Sequence, residues 1–330
     1  MRSVGTIRDG NPCTVTALTD TASTTGRAAG RNVGGNFGRV VGRLIRLLSQ
    51  PWLRVAAVVM AIAVSVWSFD RVPAASWEPA AIGLLPWIVG KYILCPLRWH
   101  SLSVGGRTRR WYLRTYAESE LLGLASPGHV GADLWRMHQL RAEAGLARPC
   151  AIAEVALDRL IGALGLTVFV VFSGARLPPQ FLAAAIGIAV VVLVLAVVAH
   201  RRRPAVLAAR PMPPLRVIVK GALLSVGYQL TIIGLLLGTV AAMGDHTSPV
   251  ALLGVFGASQ MAGILPGYNG ASPREGALVV GLASLGISWS AAVGAVALTA
   301  LLAWLPALLL GGGSFAVRRL ARRGAVAPAH

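Results

Sequence analysis

The chain has 330 residues, of which 55% are hydrophobic and only 13% charged, with a mean hydropathy of +0.66. A soluble domain carries about 25% charged residues, so this composition excludes an ordinary soluble domain and points to a polytopic membrane protein. The net charge of +19 is almost all arginine, since Lys91 and Lys220 are the only lysines; the long apolar segments assign that charge to an anionic membrane face rather than to nucleic acid.

Residues 1–37 are rich in Thr, Gly, Ala and Arg without periodicity and read as a disordered basic tail. Over 38–49, Arg39, Arg43 and Arg46 alternate with Val40, Val41, Leu44, Ile45, Leu47 and Leu48, the pattern of an amphipathic helix lying on headgroups. The membrane domain is expected over 50–317, followed by a basic cytoplasmic tail at 318–330. No cleavable signal peptide precedes it, because the first apolar run starts only after the basic tail.

A span needs about 20 apolar residues. The stretches 52–70, 79–98, 150–173, 180–200, 215–243 and 288–313 meet that length. Two further regions are apolar but broken. Residues 115–141 hold the short run Leu121–Ala125 and then Pro127-Gly128, and 249–286 holds two short runs around "ILPGYNGASPREG". Such lengths suit re-entrant half-helices. Arginines crowd the N-terminal tail, the stretch 98–114, the loop from Arg201 to Lys220 and the C-terminus, whereas the opposite loops carry only Arg71 and Arg176. The positive-inside rule then places both termini in the cytoplasm. The expected fold is all-α, a polytopic bundle of about six full spans plus two re-entrant or broken regions. Eight crossings, with 249–286 as two short ones, keep the same parity.

The cysteines Cys13, Cys95 and Cys150 form no CxxC pair and fall at cytoplasmic ends or within spans, so no disulfide is expected. No HExxH or paired His/Cys spacing exists, which argues against a metal, and no GxxxxGK[ST] loop argues for ATP hydrolysis. No cofactor is expected.

Charge at membrane depth costs about 2.5–3.5 kcal/mol per residue even on lenient scales, so its presence calls for a reason. Three clusters stand out: His129, Asp133 and Arg136 in "SPGHVGADLWR"; Glu154, Asp158 and Arg159 in "AEVALDRL"; and Arg274-Glu275. Lys91 and Arg98, seven residues apart, share a face near the inner end of the second expected span. Adjacent helix residues do not face each other, so Asp158 and Arg159 each need a different partner. Each broken region combines Pro-Gly with a downstream acid and arginine. Paired interruptions of this kind point to a transporter's central site, and half-helix N-termini with arginines suit an anionic phosphate. On this reading Arg98, Arg136 and Arg274 contact lipid phosphate, while His129, Asp133, Glu154, Asp158, Arg159 and Glu275 form the supporting polar network.

The motifs "LRWHSL", "SPGHVGADLWR", "LDRLIGALGL" and "LPGYNGASPREGALVVGLASLGIS", in this order, resemble the flippase-like membrane family that includes the transmembrane region of lysylphosphatidylglycerol synthases. The resemblance covers roughly residues 50–320. It implies a multi-pass protein of a bacterial-type plasma (inner) membrane that binds or flips an anionic phospholipid or a polyprenyl-phosphate-linked lipid. The chain departs from the family where Tyr268-Asn269 and an added Ala-Ser-Pro replace part of a denser glycine run. It ends at His330, with no room for the soluble aminoacyl-transfer domain of the synthases, so an enzyme is not expected. Two alternatives stand beside translocation: a non-catalytic subunit scaffolding a separately encoded lipid-modifying enzyme, and a membrane transferase using a lipid-linked donor. The transferase is disfavoured because the outer loops offer only Asp70, Glu78 and Asp245 as carboxylates.

Overall fold

The computed structural model describes residues 76–124, 126–174, 212–263, 267 and 272–326. The expected tail 1–37, the amphipathic helix 38–49 and the spans 52–70 and 180–200 lie outside them. Among the described residues the fold is all-helical, with no strand. In chain order the elements are α1 (Trp77–Val89), α2 (Cys95–Leu102), α3 (Arg109–Leu124), α4 (Val130–Ala142), α5 (Arg148–Gly174), α6 (Leu215–Ala242), α7 (Pro249–Ala262), α8 (Pro273–Ser284), α9 (Trp289–Pro306) and α10 (Gly313–Val326).

Among the described residues, three helical stretches are long and apolar enough to cross a membrane: Trp77–Leu102, Leu215–Ala242 and Trp289–Ala321. They cover the spans expected at 79–98, 215–243 and 288–313. The expectation of six full spans is therefore met for three. The stretch expected at 150–173 is α5, 27 residues long, which carries Glu154, Asp158 and Arg159 in its first half and is not among the three. Large apolar side chains point outward from the spans, among them Ile82, Leu85, Leu223, Leu230, Leu308 and Leu309. Such a surface suits lipid rather than water.

Two of the spans are built around π-helical turns. Gly90–Leu94 joins α1 to α2 just before Pro96, which has no N–H to return to the preceding turn. Ala307–Gly312 joins α9 to α10 just after Pro306. The first π-turn carries Lys91, so the local widening and a buried cation coincide.

α1 and α6 cross through glycine. A Cβ at Gly238 would lie 2.4 Å from the Pro79 carbonyl oxygen, and one at Gly83 would lie 2.7 Å from that of Gly234. Small residues at Gly234 and Gly238 thus let two backbones touch, the packing that membrane helices favour. One core joins α1, α6, α7, α8 and α9 around Leu235, Leu252, Leu282 and Leu298. A second, aromatic core joins α2 to α5 around Trp99, Trp111, Tyr112 and Tyr116.

The two broken regions are helical hairpins. α3 and α4 have 16 and 13 residues, α7 and α8 have 14 and 12. At 1.5 Å per residue none reaches the roughly 30 Å of a hydrocarbon core. α4 starts from two successive left-handed residues, Gly128 (φ 59°) and His129 (φ 57°). The Ser126 hydroxyl accepts the Gly131 N–H at 2.8 Å and caps that start. At α8, Ser272 and Glu275 form a capping box, with Pro273 in the first turn. The Ser272 N–H donates to the Glu275 carboxylate at 2.9 Å.

Cys95 is a buried free thiol.

Candidate functional site

The charges buried between α1/α2, α3, α4 and α5 form one alternating chain. Lys91 Nζ lies 2.8 Å from Glu120 Oε2, and Glu120 Oε1 accepts from Arg136 at 3.4 Å. Arg136 also donates to Asp158 Oδ2 at 3.2 Å and to Ser119 Oγ at 3.1 Å. Asp158 in turn accepts a two-pronged contact from Arg98, Nε to Oδ1 at 2.8 Å and Nη2 to Oδ2 at 3.1 Å. Arg98 Nη1 reaches Ser225 Oγ at 3.2 Å, and Ser225 donates to the Gly162 carbonyl. Three cations thus share two carboxylates. The Arg136 guanidinium sits 4.1 Å from the Tyr116 ring centroid and 5.3 Å from that of Trp99, where aromatic faces stabilise the surplus positive charge.

Burial decides what this chain does. Asp158 is 0% exposed, Arg136 2%, Glu120 4% and Arg98 6%. Their polar atoms are spent on one another and bind five helices together. Glu154, one turn before Asp158, is likewise buried and accepts from the Ser103 hydroxyl, which also receives Tyr112.

A second polar cluster joins α10 to the α3–α4 hairpin. Arg318 donates to Glu118 at 3.1 Å and to Glu143 at 2.7 Å, and Ser314 donates to Glu118. Trp135 Nε1 also donates to Glu118, while Trp111 Nε1 and Arg114 donate to Glu143. Burial disfavours the Glu143 carboxylate, but the Trp111 N–H and the Arg114 and Arg318 guanidiniums outweigh it and hold its pKa below the ordinary value.

The open space lies elsewhere, where the two hairpin breaks meet. The Gly128 N–H donates to the Gly267 carbonyl at 3.0 Å, tying the first break to the second. Beside this contact is a polar cleft lined by Ser126, His129, Arg159, Ser272, Arg274 and Glu275, with the backbone of Gly128, Gly263 and Gly267. A further cleft shares His129, Arg274 and Glu275 with it and is lined by Lys91 and Glu120 together with Leu235, Phe256, Leu278 and Val296. The two clefts adjoin at His129, Arg274 and Glu275, the first lined by polar groups and the second by polar and apolar ones.

Two arginines face this space with their side chains substantially open. Arg159 is 49% exposed and pairs with Asp133 at 2.9 Å; Arg274 is 41% exposed and pairs with Glu275 at 2.7 Å. Arg98 and Arg136, expected to contact phosphate, line neither cleft. Asp158 and Arg159 do take separate partners, as their adjacency requires. Asp133 faces Arg159, whereas His129, at the left-handed start of α4, lines both clefts. Tyr268 and Asn269 lie outside the described residues.

Sequence reasoning passed over Glu118, Glu120, Glu143, Arg318 and Gln260. The signal for the first two was present: two carboxylates in "AESELL", immediately before an apolar run. Among the described residues no group of three or more His, Cys, Asp or Glu side chains is arranged to hold a metal. The structure therefore defines an all-helical protein with membrane-length helices and an amphipathic cleft between two broken hairpins. No family model, curated protein or solved structure matches the chain.

Proposed function

We propose that this protein binds an anionic phospholipid or a polyprenyl-phosphate-linked lipid within the membrane and moves it between leaflets, without covalent chemistry. The observation that carries the reading is the amphipathic space joined at His129, Arg274 and Glu275, beside the Gly128–Gly267 contact. Its polar part suits a phosphate and its apolar wall a lipid chain. Irregular backbone at membrane depth is tolerated where it lines such a cavity, and paired broken helices are the form that transporter sites take. The full arrangement on this reading is a bacterial-type inner-membrane bundle of six spans and two re-entrant hairpins, with both termini cytoplasmic.

Arg159 and Arg274 are the phosphate ligands, with His129 between them. The arginines are the open partners of these pairs, and partly exposed ion pairs are weak; Asp133 releases Arg159 to an incoming phosphate, and Glu275 keeps its bonds from Ser272 when Arg274 turns to it. Arg98 and Arg136 hold the scaffold beneath the site through Asp158 and Glu120. The basic residues serve the membrane face and the lipid; nucleic acid has no place in this reading.

Reconstituted proteoliposomes with a fluorescent anionic phospholipid test it. Arg159→Ala and Arg274→Ala each lower lipid flipping by about ten- to a hundredfold, the loss of one charge-assisted hydrogen bond of about 1.5–3 kcal/mol. Unchanged flipping in both variants removes these residues from the mechanism.

A further inference from the structure

The lining of the second cleft, between Lys91 and Val296, also bears on what lies beyond the phosphate, an inference that rests on the lipid-phosphate reading above. Its carboxylates are committed: Glu120 holds Lys91 and Arg136, and Glu275 stays bound to the Ser272 N–H and hydroxyl at the start of α8 when Arg274 turns to the phosphate. An ammonium in the headgroup would enter beside Lys91 and Arg274 and find no carboxylate to spare among the described lining residues. Placing like charges together in a partly dehydrated cleft is unfavourable.

The uncommitted polar atoms are neutral ones. Gln260 Nε2 is buried and hydrogen-bonds nothing among the described residues, although Gln260 lines the cleft. A buried donor left unpaired is costly, and an oxygen acceptor supplied by a ligand removes that cost. The Ser259 hydroxyl donates to the Phe256 carbonyl at 2.7 Å; that of Thr299 donates to the Ala295 carbonyl at 2.8 Å and lies 2.9 Å from the Thr239 hydroxyl, so each oxygen keeps a lone pair able to accept. Trp87 and Tyr92, edge to face at 6.1 Å, add a rigid aromatic wall. A donor amide, acceptor hydroxyls and aromatic faces match vicinal hydroxyl groups, which both donate and accept and carry C–H faces.

From this lining we infer that the lipid's headgroup beyond the phosphate is a neutral polyol (a glycerol, an inositol or a sugar) rather than an amine. The phosphate lies against His129 and Arg274, and the hydroxyls lie along Gln260, Ser259 and Thr299. Gln260 is then a specificity-determining residue for the headgroup, distinct from the arginines that set phosphate binding.

Native mass spectrometry of the full chain with four diacyl phosphodiesters of identical acyl chains tests this. Their headgroups are methanol, ethanolamine, glycerol and inositol. Phosphatidylglycerol and phosphatidylinositol are retained about tenfold more than phosphatidylmethanol, roughly the worth of one or two neutral hydrogen bonds; phosphatidylethanolamine is retained least. Preference for inositol over glycerol identifies a ring polyol, and the reverse a glycerol. Gln260→Met brings the glycerol-to-methanol ratio near one. Arg274→Ala weakens all the anionic lipids together.

Equal retention of phosphatidylmethanol and phosphatidylglycerol overturns the headgroup inference and leaves the phosphate reading standing. So does strong retention of phosphatidylethanolamine, or an unaltered ratio in Gln260→Met. Retention of every lipid that is indifferent to Arg159→Ala and Arg274→Ala overturns the phosphate reading itself. The ranking on the unmodified chain decides the matter should Gln260→Met fail to fold.

Discussion

Asp158 is the residue on which the buried charges converge. It accepts from both Arg98 and Arg136 and is fully buried, so its loss leaves two guanidiniums dehydrated with one carboxylate, Glu120, remaining near Arg136. Removing one partner of a buried ion pair typically costs about 3–5 kcal/mol. Asp158→Asn should lower the thermal unfolding temperature of the purified protein strongly, whereas Arg274→Ala, which removes an open side chain, should leave it near that of the parent. An Asp158→Asn protein that unfolds at the parent temperature would show that these charges are not the scaffold. Half of this network was legible in the sequence. A charge inside an apolar helix announces that it needs a partner, and the adjacency of Asp158 and Arg159 announces that the partners differ. Which partners could not be read, because Arg98 lies 60 residues from Asp158 and Arg136 lies 22 away. Glu120 was missed because it stands at the edge of an apolar run, where a carboxylate resembles an interface residue.

At the scale of elements, the breaks were readable and the helix widenings were not. Pro127-Gly128 and the Pro-Gly near residue 266 interrupt apolar runs too short to span, and the hairpins α3–α4 and α7–α8 follow. The π-turns at Gly90–Leu94 and Ala307–Gly312 sit beside prolines, but a proline in a helix is also compatible with a simple kink. The glycine crossing of α1 and α6 supplies a test of the packing itself. Gly238→Ala puts a methyl group 2.4 Å from the Pro79 carbonyl oxygen, whereas a Cβ at Gly254 meets nothing within 4 Å. Gly238→Ala should cost about 1–3 kcal/mol of stability through overpacking. Gly254→Ala should cost none, because alanine is the better helix former. Equal unfolding temperatures for the two variants would contradict the crossing.

For the whole molecule, the two hairpins divide the labour between holding and binding. The interior of α3 and α4 faces the charge chain on the Gly90–Leu94 turn, α2 and α5, and α10 is fastened to the same hairpin through Arg318. The breaks face the cleft, where the arginines are open. This division explains why charge pattern alone assigned Arg98 and Arg136 to the phosphate: composition reports that an arginine lies at depth, but only the fold reports whether its donors are spent. The central claim is that a lipid headgroup occupies the space between the breaks, and its position can be mapped directly. A phosphatidylglycerol analogue bearing a photoactivatable group next to the phosphate, cross-linked to the purified full chain and located by peptide mapping, should label residues 123–133 and 260–275, with labelling reduced in Arg274→Ala. Labelling confined to the outward faces of Trp77–Leu102, Leu215–Ala242 and Trp289–Ala321, and insensitive to Arg274→Ala, would contradict the account.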